Sequence, residues 1–471
     1  MAFWNRRKSI AAILAGEGDR SLKKTLSWPH LVAMGVGAIV GTGIYTLTGI
    51  GAGLAGPGVI LSFALCGLIC ACAAFCYAEM ATTMPAAGSA YTYSYAVMGE
   101  LVAWIVGWSL ILEYTVAAAA VAVGWSSHVA EFIQAAGWSF PTPLLHGIAS
   151  GGLIDLPAVV ISALVTGLLV IGTRESATVN LVLVAIKIAA LILFVVLAAQ
   201  SFDTARFHPF MPYGFAAHVD ADGVKRGVLA AAALVFFAFY GFDTVSTAAE
   251  ETINPGRNLT IGIIGSMVLC TLIYIAVAGS AVGASSYLDF SKSGAPLVYI
   301  LNSLHHALSA QLVAGAAIVA LPTVILVLMY GQSRIFFVMA RDGLLPQTLS
   351  AVHKTRGTPV LMTMFTGSAV AVLAATLKLD QIALLANAGT LFAFMAVALS
   401  MLILRLREPG RQRAFTTPLP WIVGPACILG CLYLFLNGLP LFTQMWFLLW
   451  NGVGLVFYFA YSMRASRLAK A

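Results

Sequence analysis

Four ionisable side chains stand in or beside long apolar runs, where the chemistry open to them is moving a charge or a proton: Glu113, Lys187, Asp243 and Glu250. Lys187 lies between Val182-Leu183-Val184-Ala185-Ile186 and Ile188-Ala189-Ala190-Leu191. It is about ten residues, or roughly 15 Å of helix, from either end of its run, farther than a lysine can snorkel. A lysine at that depth needs carbonyl or anionic partners, and it can give up and regain a proton. Glu113, in Leu110-Ile111-Leu112-Glu113-Tyr114-Thr115, can take a proton, pair with a cationic solute or bond neighbouring backbone. Asp243 and Glu250 are seven residues apart and share a helical face. An uncompensated carboxylate at mid-span costs about 2.5–3.5 kcal/mol, so Asp243 must have a partner or a task. Glu250 is near the end of its run, where a solvated carboxylate is an equally good reading.

The backbone around these groups is interrupted. The first apolar run reads Gly35-Val36-Gly37-Ala38-Ile39-Val40-Gly41-Thr42-Gly43-Ile44-Tyr45. Glycine leaves helical dihedrals cheaply and lets a ligand touch the main chain. Gly37 and Gly41 alone would satisfy a small-residue packing face, so Gly43 and Thr42 point to an unwound segment. The sixth run reads Phe236-Phe237-Ala238-Phe239-Tyr240-Gly241-Phe242-Asp243-Thr244, an aromatic cluster followed by glycine and then an acid. Irregular backbone at membrane depth survives only where protein or a watery cavity surrounds it. Two interrupted helices separated by five spans fit an inverted five-helix repeat.

The elements that must position these residues are membrane helices. Of 471 residues 60% are apolar and 9% charged, which leaves far more apolar surface than a water-soluble core can hide. About twelve runs are long enough to span, roughly 29–52, 57–80, 101–124, 155–173, 177–199, 227–250, 259–283, 308–333, 360–377, 380–404, 418–440 and 443–463. The fold class is therefore all-α and polytopic, with broken helices 1 and 6. The expected organisation is a segment over about 1–28, a membrane domain over about 29–463 and a tail over about 464–471. Within the domain, repeats of roughly 29–199 and 227–404 precede two extra helices at roughly 418–463.

The net charge of +7 does not call for nucleic acid. Most of the 25 Lys and Arg fall in loops on one side, among them Arg6, Arg7, Lys8, Arg334, Arg341, Arg405 and Arg407. Arg206, Lys225, Arg226, Lys292 and Lys378 fall on the other. The positive-inside rule then puts both termini in the cytoplasm. The polar stretch before the first run has no apolar core or small-residue cleavage site, so it does not read as a signal peptide. Cys66, Cys70, Cys72 and Cys76 read as packing thiols rather than a metal site. No histidine pair within a run has metal spacing, no cofactor motif is present, and no nucleophile, base or carboxylate pair converges as an enzyme requires.

At Phe236 to Asn254, FFAFYGFDTVSTAAEETIN followed by Pro255, the chain closely resembles the cationic amino acid transporter branch of the amino acid-polyamine-organocation superfamily. Further matches are Gly37 to Tyr45, Tyr77-Ala78-Glu79-Met80 with Pro85 to Tyr91, Gly172-Thr173-Arg174-Glu175-Ser176, and Arg334 to Leu345. The resemblance implies an inverted-repeat transporter of the inner membrane with substrate held between spans 1, 3, 6 and 8. It implies an amino acid carboxylate on the exposed amides near Gly41, Thr42 and Gly43. The ammonium falls to carbonyls of Ile39, Val40, Phe237, Ala238 and Tyr240. Side chains of Phe239, Tyr240, Leu321, Thr323 and Val324 would face the substituent. Tyr240 replaces the small aliphatic residue of the family, which narrows the pocket or adds a hydroxyl and argues against an arginine or lysine substrate.

The resemblance also places Lys187 beside spans 1 and 8, where its ammonium would contact first-span carbonyls; a buried lysine that can lose and regain a proton makes proton coupling through Lys187 the expectation, with a purely structural lysine as the alternative. The expected function is thus an amino acid permease working by alternating access with proton symport. A polyamine or organocation transporter and an amino acid exchanger are the alternatives, ahead of a channel or a nutrient sensor. The lipid bilayer and an amino acid are its partners, and a small accessory membrane subunit is left open.

Overall fold

The computed structural model describes residues 6–11, 13, 26–86, 88–135, 137, 141–171, 177–350 and 360–470. Among these, nine helices are long and apolar enough to cross a membrane, and Trp28–Ile39, Leu156–Ile171 and Val360–Thr376 are shorter apolar helices. Strand is confined, among the described residues, to two hairpins of two-residue strands, Leu145–His146 with Ile154–Asp155 and His218–Val219 with Lys225–Arg226. The chain is a polytopic all-α membrane protein.

The first span folds in three pieces: α1 (Trp28–Ile39), α2 (Thr42–Tyr45) and α3 (Leu47–Ala55). Val40 is extended (φ −76°, ψ 91°), as is Gly41 (φ −138°, ψ −154°), so the helical ladder stops at the Val40 N–H, which bonds Val36 O at 2.8 Å. α4 (Val59–Thr83), α5 (Ser89–Val97), α6 (Glu100–Ala135), α7 (Leu156–Ile171) and α8 (Ala177–Gln200) complete the first five spans. The sixth begins as α9 (Val228–Val235), tightens to 3-10 geometry over Phe236–Phe239, and breaks at extended Tyr240 and at Gly241, whose φ is +114°. It resumes as α10 (Thr244–Thr247). Then come α11 (Pro255–Ala284), α12 (Pro296–Ser303), α13 (Ala307–Arg341), α14 (Val360–Thr376), α15 (Leu379–Arg407), α16 (Pro420–Tyr433) and α17 (Leu441–Phe457).

Packing relates each span to the one five later. α1 lies along α11, and its counterpart α9 lies along α4; α6 pairs with α13, and α7 with α14. α8 touches α13 where the equivalent tenth span, α15, touches α6. The sixth span is wholly buried, whereas α17 shows lipid the side chains of Leu441, Phe442 and Val456. That enclosure lets the sixth span carry broken backbone that would be intolerable against lipid.

Two polar devices hold the frame that carries the breaks. Pro322 lies inside α13 and cannot donate to the carbonyl of Ile318; the Trp125 indole N–H from α6 donates to it instead, at 2.8 Å. Asn387 on α15 donates from Nδ2 to the carbonyls of Ala233 and Leu234, at 2.7 and 3.2 Å, one turn before the sixth span tightens.

Both chain ends are tied to one face of the bundle. Buried Glu100 accepts from Arg6, Tyr95, Tyr458 and Ser466, while Asp342 accepts from Lys8 at 2.9 Å and Tyr91 at 3.0 Å. Glu79 is held bidentately by Arg405, with N···O distances of 2.9 and 2.6 Å. Leu26 bridges Glu251 and Ile253 in backbone hydrogen bonds, linking the start of the first span to the end of the sixth.

Candidate functional site: a cavity where two broken helices cross

The two breaks lie against each other with almost no clearance. A Cβ on Gly43 would stand 2.3 Å from Ala238 Cα, and one on Gly241 would stand 2.9 Å from both the carbonyl carbon and Cβ of Ala38. Each broken span thus offers a glycine to an alanine of the other. Gly37 is also a packing glycine, since its Cβ would meet Val184 at 2.8 Å. Gly41 has room, with nothing nearer than Val324 at 3.7 Å. Sequence spacing puts Gly41, Thr42 and Gly43 together in one unwound segment; in three dimensions Gly43 packs and Gly41 opens.

Beside Gly41 is a narrow, partly open crevice with free space of about 10 Å³. Ala38, Ile39, Gly41, Thr42 and Gly43 form its first-span wall. Phe237 and Tyr240 of the sixth span, Val121 of α6, and Val324 and Leu328 of α13 complete it. Thr42 and Gly43 are the first two residues of α2, so their N–H groups precede any intrahelical acceptor. Thr42 is pinned by α6, its hydroxyl donating to Val121 O at 3.4 Å and its side chain seated on Gly124, where a Cβ would lie 2.1 Å from Thr42 Cγ2.

Of the other substrate-contact positions expected from sequence, Val40, Ala238 and Phe239 are buried away from this wall. Ala238 sits under Gly43, and Phe239 packs on Phe63 and Tyr274, with ring centroids at 6.3 and 5.3 Å. The Ile39 carbonyl already accepts from the Tyr274 hydroxyl at 2.8 Å. Leu321 is buried, and Thr323 points to Lys187.

Lys187 is fully buried, and its Nζ donates to Gly37 O at 2.9 Å and to Thr323 Oγ1 at 3.3 Å, joining α8 to the first and eighth spans. Its own carbonyl accepts from the Tyr45 hydroxyl at 3.1 Å. The lysine therefore brackets the break, with one contact on either side of Gly41.

Glu113 and Asp243 are buried and do not line this cavity. Thr390 donates to Glu113 Oε1 and Tyr114 to Asp243 Oδ2, both at 2.8 Å, while Glu113 Oε2 and Asp243 Oδ1 have no protein partner. Glu250 lies in the 3-10 turn Ala249–Glu251, and its side chain is outside the described residues, as is the Gly172–Ser176 motif. Sequence reasoning missed Val121, Gly124, Tyr274 and Leu328. Three sit in apolar surroundings like dozens of others, and Gly124 is a lone glycine, so only their placement against the break marks them.

The sequence profile of the amino acid permease family matches residues 26–457. The chain is similar to a branched-chain amino acid permease of Bacillus subtilis (strain 168), at 43% identity over 98% of each protein. It is also similar to a methylthioribose transporter of the same strain, at 38% identity over 99% of each. A vacuolar cationic amino acid transporter of Arabidopsis thaliana is 39% identical over 88% of this chain and 64% of the plant protein. A cavity framed by two interrupted spans, in a multi-pass helical protein matched along nearly its whole length, makes the chain a member of the amino acid permease family.

Proposed function

We propose that this permease carries a small neutral amino acid across the cell (inner) membrane by alternating access with proton symport, both termini facing the cytoplasm. The observation that carries the reading is the cavity at Gly41, whose polar groups come mainly from interrupted main chain and whose side-chain wall contains no carboxylate. The amides of Thr42 and Gly43 take the carboxylate at the positive end of the helix, as unsatisfied N–H groups favour an anion. Carbonyls left free at the breaks take the ammonium. A cationic substituent would find no counter-charge on Val121, Val324 or Leu328.

Lys187 is the coupling residue in this reading. Its bond to Gly37 O ties protonation to the conformation of the first span, because a neutral amine holds that carbonyl less firmly than an ammonium does. Glu113, Asp243 and Glu250 mark the route by which proton and solute leave toward the cytoplasm. Purified protein in liposomes with an imposed pH gradient tests this. Lys187→Met should keep substrate-induced thermal stabilisation but lose pH-driven accumulation, and undiminished accumulation by that variant would remove Lys187 from the coupling step.

A further inference from the structure

Main chain at the breaks reads what every amino acid shares, so selection among neutral substrates falls to the side chains that face the substituent. Most of them are hydrocarbon: Val121, Phe237, Val324 and Leu328. Two hydroxyl-bearing residues join the wall, and they differ in one respect. The Thr42 hydroxyl is committed to Val121 O. Tyr240 is only 4% exposed, and its hydroxyl has no hydrogen-bond partner in the protein. Neighbouring Tyr114 cannot supply one as a donor, because its hydroxyl proton goes to Asp243.

The Tyr240 ring is held in place. It stacks on Phe237 with centroids 6.2 Å apart and planes 6° from parallel, and it meets Tyr114 edge-on at 5.8 Å. The phenol therefore has little freedom to seek a partner elsewhere. A buried hydroxyl without a partner is costly, and a cavity occupant bringing an oxygen to it removes that cost. A hydrocarbon occupant leaves it in place. Such an arrangement discriminates more strongly than a greasy wall does, since a greasy wall rejects an added hydroxyl only about a hundredfold, whereas a site built to hydrogen-bond rejects the analogue lacking that group by about 10⁴-fold or more.

Building on the proposal that an amino acid occupies this cavity, we infer that Tyr240 is its specificity-determining side chain and that it selects neutral amino acids bearing a side-chain hydroxyl, the threonine and serine class, over their hydrocarbon isosteres. Threonine and valine have the same shape, so a preference between them reports the hydrogen bond and not the volume of the cavity.

The test is initial uptake of labelled threonine and valine by the full chain in proteoliposomes, for the natural sequence and for Tyr240→Phe. The expected result is a kcat/KM ratio of about tenfold or more for threonine over valine, falling by about tenfold or more in Tyr240→Phe. A natural-sequence ratio near or below one overturns the inference. So does a ratio that the substitution leaves unchanged, or an equal loss for both substrates, which would assign the hydroxyl to the carboxylate or ammonium they share. Should Tyr240→Phe fail to fold, the natural sequence alone decides through a second isosteric pair, serine against α-aminobutyrate, with the same tenfold expectation. Uptake of other amino acids but neither of these overturns the inference and spares the proposed function, whereas uptake of no amino acid overturns both.

Discussion

Gly43 and Ala238 are in such close contact that a single methyl group would separate the two broken spans, since a Cβ on Gly43 would come within 2.3 Å of Ala238 Cα. The neighbour is backbone and cannot rotate away. Gly43→Ala should destabilise the protein at or beyond the upper end of the roughly 1–3 kcal/mol typical of overpacking. Gly241→Ala adds the strain of a φ of +114° to its contact with Ala38. Both variants should show a lowered unfolding midpoint in detergent and little or no transport, and a Gly43→Ala protein of natural stability would show that the spans are not locked here.

Gly124 is packed against Thr42 of the cavity wall. Gly124→Ala would put a methyl within 2.1 Å of Thr42 Cγ2 and push the first residue of α2 out of register with the cavity. Apparent substrate affinity should fall by about tenfold or more, with a smaller effect on folding. Binding isotherms compared with thermal midpoints separate the two effects.

Trp125 and Pro322 form a coupled pair. Trp125→Phe leaves the Ile318 carbonyl unpaired and should cost about 1–3 kcal/mol. In a Pro322→Ala background residue 322 regains an N–H able to close the helical bond, so the same tryptophan substitution should cost less. A double-mutant cycle on unfolding free energies measures the difference, which is zero if the indole bond has no such role.

The two ion pairs near the chain ends, Arg6–Glu100 and Lys8–Asp342, should differ. Glu100→Ala leaves Arg6 without its carboxylate and removes the acceptor for two tyrosines, a loss on the order of 3–5 kcal/mol. Lys8→Ala breaks a pair whose lysine retains 23% of its exposure and leaves Asp342 the Tyr91 hydroxyl, so it should cost less than Glu100→Ala. Parallel thermal unfolding of the two variants checks the ranking.

Asp155, in the hairpin preceding α7, is buried beneath Ser126, and burial pushes its carboxyl up from 3.8 to about 6. An acid that binds its proton more tightly when folded stabilises the fold fully below pH 3.8 and loses that contribution as pH rises to about 6. The unfolding midpoint should therefore fall between pH 4 and 6 by an amount set by roughly 3 kcal/mol. Asp155→Asn should flatten this part of the profile, and a slope unaltered in that variant would assign it to other groups.

Much of the architecture was legible along the chain because the bilayer imposes a local rule. Every spanning run must be apolar and about 20 residues long, so composition alone exposes the spans. Departures from the rule stand out for the same reason: four glycines around Gly41, the glycine and acid at Gly241 and Asp243, and an ammonium in the middle of hydrocarbon at Lys187. Val121, Leu328 and Tyr274 carried no such mark. Their roles come from facing a break rather than from their residue type.

The sequence by itself therefore determined that this is a helical membrane protein, where its helices break and which charged group lies deepest, since each follows from the solvation of single residues and single peptide groups. Only the tertiary structure decided which glycine opens and which packs, that Thr323 serves Lys187, and that the Tyr240 hydroxyl is left without a partner. Those outcomes depend on how spans distant in sequence approach one another, and close packing settles them at distances of a few tenths of an ångström that no local pattern encodes.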